Sequence, residues 1–340
     1  MRIELIGTDL TEADANRLGG VIGLIEKQMG MPEDAVREVI FASDEKFGEV
    51  VLRFDPTGTY TNARGLVAAG KTFAHREPGK PTTTSVLLRH GCATHLLKAL
   101  DSTAGKIDEW PTEQQMALYI LAHELGHCLD HTRREASPDD GTYRNEQGQR
   151  VLGHSVADLC TYYYSMLVSE LSACVFSSPY YTEALRKDEC RMNNDFVFRQ
   201  LETLRNLTRD SSDDLNKIQG EAGGLFWFVL MQQAKQSAVR IGNGVMENRT
   251  ATELWEFAQS SESVAEALVR ADGAIVAAWE SYPAFGPELK EQLTGAFHEM
   301  AAVHSFRFHD AAGRDGIWWN TLFQKFAFEG LQRQREGAAS

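Results

Sequence analysis

The sequence predicts an α+β fold, with a small sheet in the N-terminal part and helices in the C-terminal part. Short β-rich runs alternate with helical patterns over about the first 90 residues. A helix that is apolar on all sides follows Pro111, and apolar clusters at helical spacing continue from about residue 195 onward. We therefore expect an α+β domain at residues 1–195 and a helical domain or extension at residues 196–340.

The N-terminal part contains one predicted helix and four predicted strands. The helix covers residues 11–29, where Thr11 is the expected N-cap and apolar side chains recur along one side. The sequence DEKFG is predicted to be a turn between two strands, and the Gly/Pro/Thr-rich residues 56–84 are predicted to form an irregular loop. The predicted strands are residues 2–6, 37–43, 49–54 and 84–91.

Two long helices are predicted on either side of a polar loop at residues 136–150. The first starts at Pro111, because the first turn of a helix tolerates a residue without an N–H group, and it runs to about Arg134. The second covers residues 152–178 and ends before Pro179.

The charge balance of the chain argues against nucleic acid as a direct partner. The 340 residues include 48 Asp and Glu but only 34 Lys and Arg, which gives a formal net charge of -14. A phosphate backbone is repelled by such a chain unless basic residues cluster, and the sequence has no long run of Lys and Arg.

The cysteines and the apolar runs indicate a cytoplasmic protein that does not enter a membrane. The five cysteines are odd in number and lack CxxC spacing, which favours reduced thiols over a disulfide framework. The N-terminus lacks the apolar core of a signal peptide, and no run of about 18 uncharged apolar residues could span a bilayer.

The sequence His-Glu-Leu-Gly-His at residues 123–127 is the feature that points to chemistry. His123 and His127, at i and i+4 of a helix, direct their imidazoles at a common point, as tetrahedral zinc requires. Glu124 lies beside that point, where it can accept a proton from zinc-activated water and pass it to a leaving amine. Because burying these three polar side chains in an apolar helix is costly, the pattern favours a zinc site over chance.

A catalytic zinc site needs a third protein ligand, and Glu170 is the best candidate. It lies in the apolar run LVSELSACVFSS, where a carboxylate requires a partner. Asp158, on the same predicted helix, is the alternative. His131 is disfavoured, because ligands at i, i+4 and i+8 would spread over about 12 Å of helix. Arg133, six residues after His127, occupies the metzincin ligand position and cannot bind zinc.

The sequences HELGHCLDH and ELSACVF together resemble the ImmA/IrrE family of metallopeptidases. The family has HELGH followed by a helix with the pattern E-x-x-A-N-x-F-A, which Glu170, Ala173 and Phe176 match. Cys174 stands where the family has Asn, and Ser177 where it has Ala. The resemblance covers about residues 110–180. It implies a zincin-like fold and a gluzincin site in which His123, His127 and Glu170 hold zinc and Glu124 is the general base.

Other polar side chains are candidates for stabilising the oxyanion or binding a metal. Tyr163, seven residues before Glu170, is the predicted stabiliser of the oxyanion, with an aromatic core cluster as the alternative and His154 as a second candidate. Some other histidines and cysteines lie close together in the sequence, but their spacing is too irregular for a metal site. We predict that they bind no metal: His90, Cys92, His95, His298 and His304.

These features predict a zinc-dependent metalloendopeptidase that hydrolyses a protein or peptide substrate. The edge strand of the sheet is expected to bind the substrate in extended form. The helical C-terminal part is a candidate for recruiting a regulatory protein partner. The alternative is a zinc-containing regulatory or binding module without turnover, in which Cys128 or His131 would be a fourth protein ligand.

Overall fold

The computed structural model describes residues 1–55, 69–103, 105–134, 142–144, 150–153, 155–210, 215–246, 255–304, 306 and 308. The chain divides into two compact units. The first contains residues 1–136, 172–186 and 238–244, and the second contains residues 137–171, 187–237 and 245–340. The predicted domain boundary at residue 195 stays a prediction.

Strands and helices alternate in the first part of the chain, and helices dominate the rest, so the fold is α+β as predicted. In chain order the elements are β1 Arg2–Ile6, α1 Glu12–Met29, β2 Val36–Ala42, α2 Asp44–Phe54, β3 Gly70–His75, β4 Thr83–Arg89, α3 His90–Leu100, α4 Thr112–Arg133, β5 Thr142–Arg144, β6 Arg150–Leu152, α5 Val156–Ser177, α6 Glu183–Asp210, α7 Leu215–Gly242, α8 Glu262–Trp279 and α9 Pro287–Val303.

The first unit is built on a mixed four-stranded sheet with the order β1-β2-β4-β3. Strands β1, β2 and β4 are parallel, whereas β3 runs antiparallel to β4. Strand β3 is therefore an edge strand, and no other strand in the described ranges pairs with it.

Helices cover both faces of this sheet. Val39, Phe41, Val86 and Leu88 point to the side of α1, α3 and α4, where they join one apolar core. The intervening residues point to the side of α2, where they form a second core with Phe47, Val50 and Val51: Ile40, Ala42 and Leu87. Because β2 and β4 are buried on both faces, their sequences are nearly continuous apolar runs.

The predicted ends of α1 and α4 are confirmed. The Thr11 side chain accepts a hydrogen bond from the backbone N–H of Asp14, whose carboxylate accepts from the Thr11 N–H in return. Helix α4 starts one residue after Pro111 and ends at Arg133, within one residue of the prediction. The sequence therefore predicted the extent of the helix that contains the HELGH motif.

The predicted strand at residues 49–54 is wrong, because these residues form the second half of α2. The predicted turn DEKFG is the first half of the same helix. Phe47, Val50 and Val51 are completely buried at i, i+3 and i+4, which is a helical period. A window of six residues is too short to distinguish this period from a β-rich run.

The predicted loop at residues 56–84 is also partly wrong. Residues 70–75 form β3, and β4 already begins at Thr83. Residues 56–68 lie outside the described ranges, as do most of the polar loop before α5 and the C-terminal tail. An edge strand has only one neighbouring strand, so its composition signals a strand weakly.

The second unit contains helices with an aromatic core, in agreement with the predicted helical C-terminal part. Its largest fully buried side chains are Trp227, Trp255, Phe226, Phe257 and Phe297. None of the helices in the described ranges has the length and apolarity that crossing a bilayer requires.

Candidate metal centre

Helix α4 brings His123 and His127 together on one side. Their ring centroids are 4.7 Å apart and the ring planes are nearly perpendicular. The neighbouring Leu121, Ala122 and Leu125 are completely buried in the core beneath the sheet. Because these apolar side chains fix the rotation of α4, the two imidazoles point away from the sheet together.

Gly126 allows α5 to cross α4 at backbone contact. A Cβ atom at Gly126 would lie 2.7 Å from the carbonyl oxygen of Ala173 and 3.0 Å from its Cα. A side chain at this position would therefore separate the two helices. The close crossing positions Glu170, one turn before Ala173 on α5, beside the two histidines.

His123, His127 and Glu170 together form a group that can hold a metal ion. Each offers one ligand atom, and these atoms all lie within 4.8 Å of one another. Around a tetrahedral zinc with bonds of about 2.1 Å, ligand atoms are about 3.4 Å apart, so a small adjustment of side-chain rotamers closes the group on an ion. Two imidazoles and one carboxylate are also the donor set of many catalytic zinc sites.

The second nitrogen of the His123 ring faces a thiol. The Cys174 Sγ lies 3.7 Å from His123 Nδ1 and also 3.7 Å from the Tyr119 hydroxyl. Because Cys174 faces Nδ1, Nε2 is the nitrogen that would bind a metal. Such outer contacts normally fix the tautomer and the orientation of a ligating histidine.

Glu124 is held between α4 and the edge strand. The Thr72 hydroxyl lies 2.7 Å from Glu124 Oε2 and 3.0 Å from the Glu124 carbonyl oxygen. A Cβ at Gly70 would lie 2.8 Å from Glu124 Oε1, so only glycine leaves room for the carboxylate there. The side chain is 8% exposed, which makes it a shielded but reachable carboxylate.

The outer edge of β3 carries backbone groups that bond to no other strand of the described residues. The carbonyl of Ala69 accepts a hydrogen bond from the N–H of Arg89 on β4, so residues 71, 73 and 75 bond to β4 in the antiparallel alternation. The backbone groups of Gly70, Thr72 and Ala74 consequently point outward.

His131, the disfavoured ligand, is absent from the metal group and engages another partner. Its Nδ1 lies 3.2 Å from Arg76 Nη2. An arginine can only donate, so this nitrogen accepts and the ring is neutral. Burial, with the neighbouring His127, lowers the pKa of His131 to about 4.

Asp158, the alternative third ligand, caps the start of α5 instead. Its carboxylate accepts from the Ser155 N–H at 3.0 Å, and its own N–H donates to the Ser155 hydroxyl at 3.0 Å. The carboxylate also accepts from the Tyr143 hydroxyl at 3.1 Å. These contacts explain its position without a metal.

Tyr163 contacts aromatic side chains of the second unit. Its ring centroid lies 5.1 Å from that of Tyr162 and 6.0 Å from that of Trp227, to which it is nearly parallel. Seven helical residues separate it from Glu170, about 10 Å along the axis. Its role in stabilising an oxyanion stays a prediction, and His154 lies outside the described residues.

The histidines and cysteines predicted to bind no metal lie on helix α3 or contact aromatic rings. His90, Cys92 and His95 lie on α3, and within the described ranges none of them belongs to a metal-ligating group. His298 contacts the ring of Phe297, and His304 stacks on Phe226 and Phe257. All five cysteines are buried, and they form no disulfide bond.

Sequence reasoning missed Gly70 and Thr72, which position Glu124, and the spacing role of Gly126. Residues 70 and 72 were assigned to a loop, and they lie more than 50 positions from Glu124 in the chain. For Cys174, which contacts His123, the sequence did give a signal, because the resembled pattern has Asn at this position.

Comparisons with protein-family models, curated proteins and solved structures found no match for this chain. The resemblance to the ImmA/IrrE metallopeptidases therefore depends on the two motifs alone.

Proposed function

We propose that this protein is a zinc-dependent metalloendopeptidase with a zincin-like fold and a gluzincin-type site. The observation that carries the proposal is the group of His123, His127 and Glu170, with Glu124 beside it on the same helix. The motif resemblance to ImmA/IrrE metallopeptidases agrees with this ligand set. A cytoplasmic location and a regulatory partner for the C-terminal helices remain part of the proposal.

In this proposal three residues of the site bind the metal, and Glu124 transfers a proton. When bound by His123, His127 and Glu170, zinc supplies the Lewis acidity that lowers the pKa of a water to about 7. Thr72 holds Glu124 Oε2, which leaves Oε1 to accept a proton from the attacking water. Glu124 then returns this proton to the amine that leaves.

The substrate in this proposal is an extended segment of a protein or peptide. The outward backbone groups of Gly70, Thr72 and Ala74 add it to the sheet as a fifth strand. Because Thr72 also holds Glu124, pairing with β3 places a peptide bond close to the proton acceptor.

The contacts of Cys128 and His131 favour this proposal over a structural zinc module. Cys128 is completely buried and hydrogen-bonds Thr84 and Thr72, and burial raises its pKa to about 12. His131 faces Arg76. Neither joins the metal group of the described residues, which leaves a coordination position for water or substrate.

Zinc content and peptide cleavage, measured on the same preparations, test the proposal. We expect one zinc per chain in the wild type, retention of zinc in Glu124→Gln, and loss of most zinc in Glu170→Ala. Cleavage of unstructured protein substrates should fall by about 10²–10⁴-fold in Glu124→Gln, mainly in kcat. Equal cleavage by the wild type and Glu124→Gln would show that the mechanism is wrong.

A further inference from the structure

Arg76 directly follows β3 and contacts helix α4, which also contains Glu124. Thr72 contacts Glu124 on α4. Arg76, four residues after Thr72, contacts His131, seven residues after Glu124 on the same helix. The strand and the helix therefore run side by side. Arg76 is exposed, so a peptide paired with β3 can reach its guanidinium.

The guanidinium of Arg76 makes no hydrogen bond to a carboxylate of the described residues. Its hydrogen bond goes to the neutral His131 ring. Asp130 acts on Arg76 electrostatically, but its carboxylate is completely buried and hydrogen-bonds Arg134 Nε, at 2.7 Å, and Arg134 Nη2. Arg76, Arg134 and Asp130 together carry one net positive charge, in a chain whose net charge is -14.

The neighbours of Arg76 keep this charge in place. Burial and the charge of Arg134 lower the pKa of Arg76, which nevertheless remains a cation, as arginine does in proteins. His131 Nδ1 accepts the hydrogen bond of Arg76, so the His131 ring is neutral and supplies no counter-charge. An anion is the ligand that would complete the hydrogen bonds of this guanidinium.

We propose that Arg76 is the centre of a carboxylate-binding subsite that selects peptides with an acidic group near the cleaved bond. This inference rests on the proposed function. Four strand residues from Thr72 to Arg76 span about 13 Å, so the acidic group lies about three to four residues from the scissile bond. Asp or Glu side chains and a free C-terminal carboxylate share the required chemistry.

Peptide binding to zinc-loaded Glu124→Gln protein tests the subsite without turnover. The probes are fluorescent, end-blocked peptides of neutral extended sequence that contain either one Glu or one Gln. A third peptide has Gln and a free C-terminus, which separates the two sources of carboxylate. Binding is measured by fluorescence anisotropy at low and at high salt.

We expect the Glu peptide to bind about 10-fold more tightly than the Gln peptide at low salt, because a charge-assisted hydrogen bond contributes about that much. At high salt the difference between the two affinities should become smaller. Adding Arg76→Gln should abolish the difference. Arg76→Glu should instead favour a Lys peptide, an effect that a misfolded protein would not show. Arg17→Gln, which removes the same charge from an arginine that pairs with Asp101, is the matched control and should leave the difference intact.

Equal binding of the Glu and Gln peptides, including no binding of either at millimolar concentration, would overturn the subsite. So would a preference that survives Arg76→Gln. If only the free C-terminus is preferred, the terminal carboxylate is the ligand and the internal acid is excluded. Glu124-dependent cleavage of neutral peptides is measured separately, so the proposed function and the subsite can fail independently.

Discussion

At the scale of single residues, Cys174 distinguishes this site from the motif that it resembles. The resembled pattern has Asn at this position, whereas here a thiol lies 3.7 Å from His123 Nδ1. Sulfur is a weak acceptor compared with an amide oxygen. Cys174 is 1% exposed and also contacts Tyr119, so its effect on the proposed zinc would be transmitted through His123, and it is shielded from substrate.

We predict that Cys174→Ala weakens zinc binding by about 10–100-fold, because His123 loses the contact that orients it. Cys174→Asn should restore or exceed the wild-type affinity, since its amide oxygen is the better acceptor for Nδ1–H. Competition with a zinc-binding dye measures both, with circular dichroism as the check on folding. Wild-type affinity in Cys174→Ala would contradict a positioning role.

At the scale of elements, the crossing of α4 and α5 governs how close Glu170, the proposed third ligand, lies to His123 and His127. The helices touch at Gly126 and Ala173, three residues after His123 and three after Glu170. A shift of α5 by the width of a methyl group would move Glu170 away from both histidines. The metal group therefore depends on a residue without a side chain.

We predict that Gly126→Ala loses zinc affinity and about 1–3 kcal/mol of stability, because its Cβ would overlap the Ala173 carbonyl. The matched control is Gly23→Ala in the interior of α1, where a Cβ meets nothing within 4 Å. This control should gain about 0.5–1 kcal/mol from helix propensity and keep its zinc. Denaturant unfolding and zinc titration measure the pair, and a Gly126→Ala protein as stable as Gly23→Ala would contradict the close crossing.

At the scale of the whole molecule, the neutral His131 links folding stability to pH. Its pKa is about 4 in the folded protein, below the value of about 6.5 in an unfolded chain. Between these values the unfolded state binds the extra proton, so acidification favours unfolding. The contribution of this residue to stability is complete above pH 6.5 and is lost progressively as the pH falls to 4.

We predict that metal-free protein loses on the order of 1–3 kcal/mol of stability through His131 between pH 6.5 and pH 4. His131→Gln does not titrate and retains an acceptor for Arg76, so its stability should fall less over this range. Denaturant unfolding at pH 7, 5.5 and 4 compares the two proteins after chelation of zinc. Identical pH dependence would show that His131 is not held neutral.

The sequence by itself determined the features that depend on local spacing. The i, i+4 pair His123 and His127 lies on one helix, and an apolar helical run around Glu170 required a partner for its carboxylate. The structure brings these three side chains together. Helix limits near Thr11 and Pro111 were predictable for the same reason, since caps act within a few residues.

Only the tertiary structure decided what surrounds those residues. The pairing of β3 with β4 places Thr72 and Gly70 against Glu124, and it places Arg76 against His131, across more than 50 positions of the chain. The crossing at Gly126 and Ala173 lies one turn from Glu170 but about four turns from Asp158 on α5, so only Glu170 is close to the two histidines. Such contacts follow from strand register and from the distance between helix axes, and these depend on the packing of the whole core rather than on any short stretch of sequence.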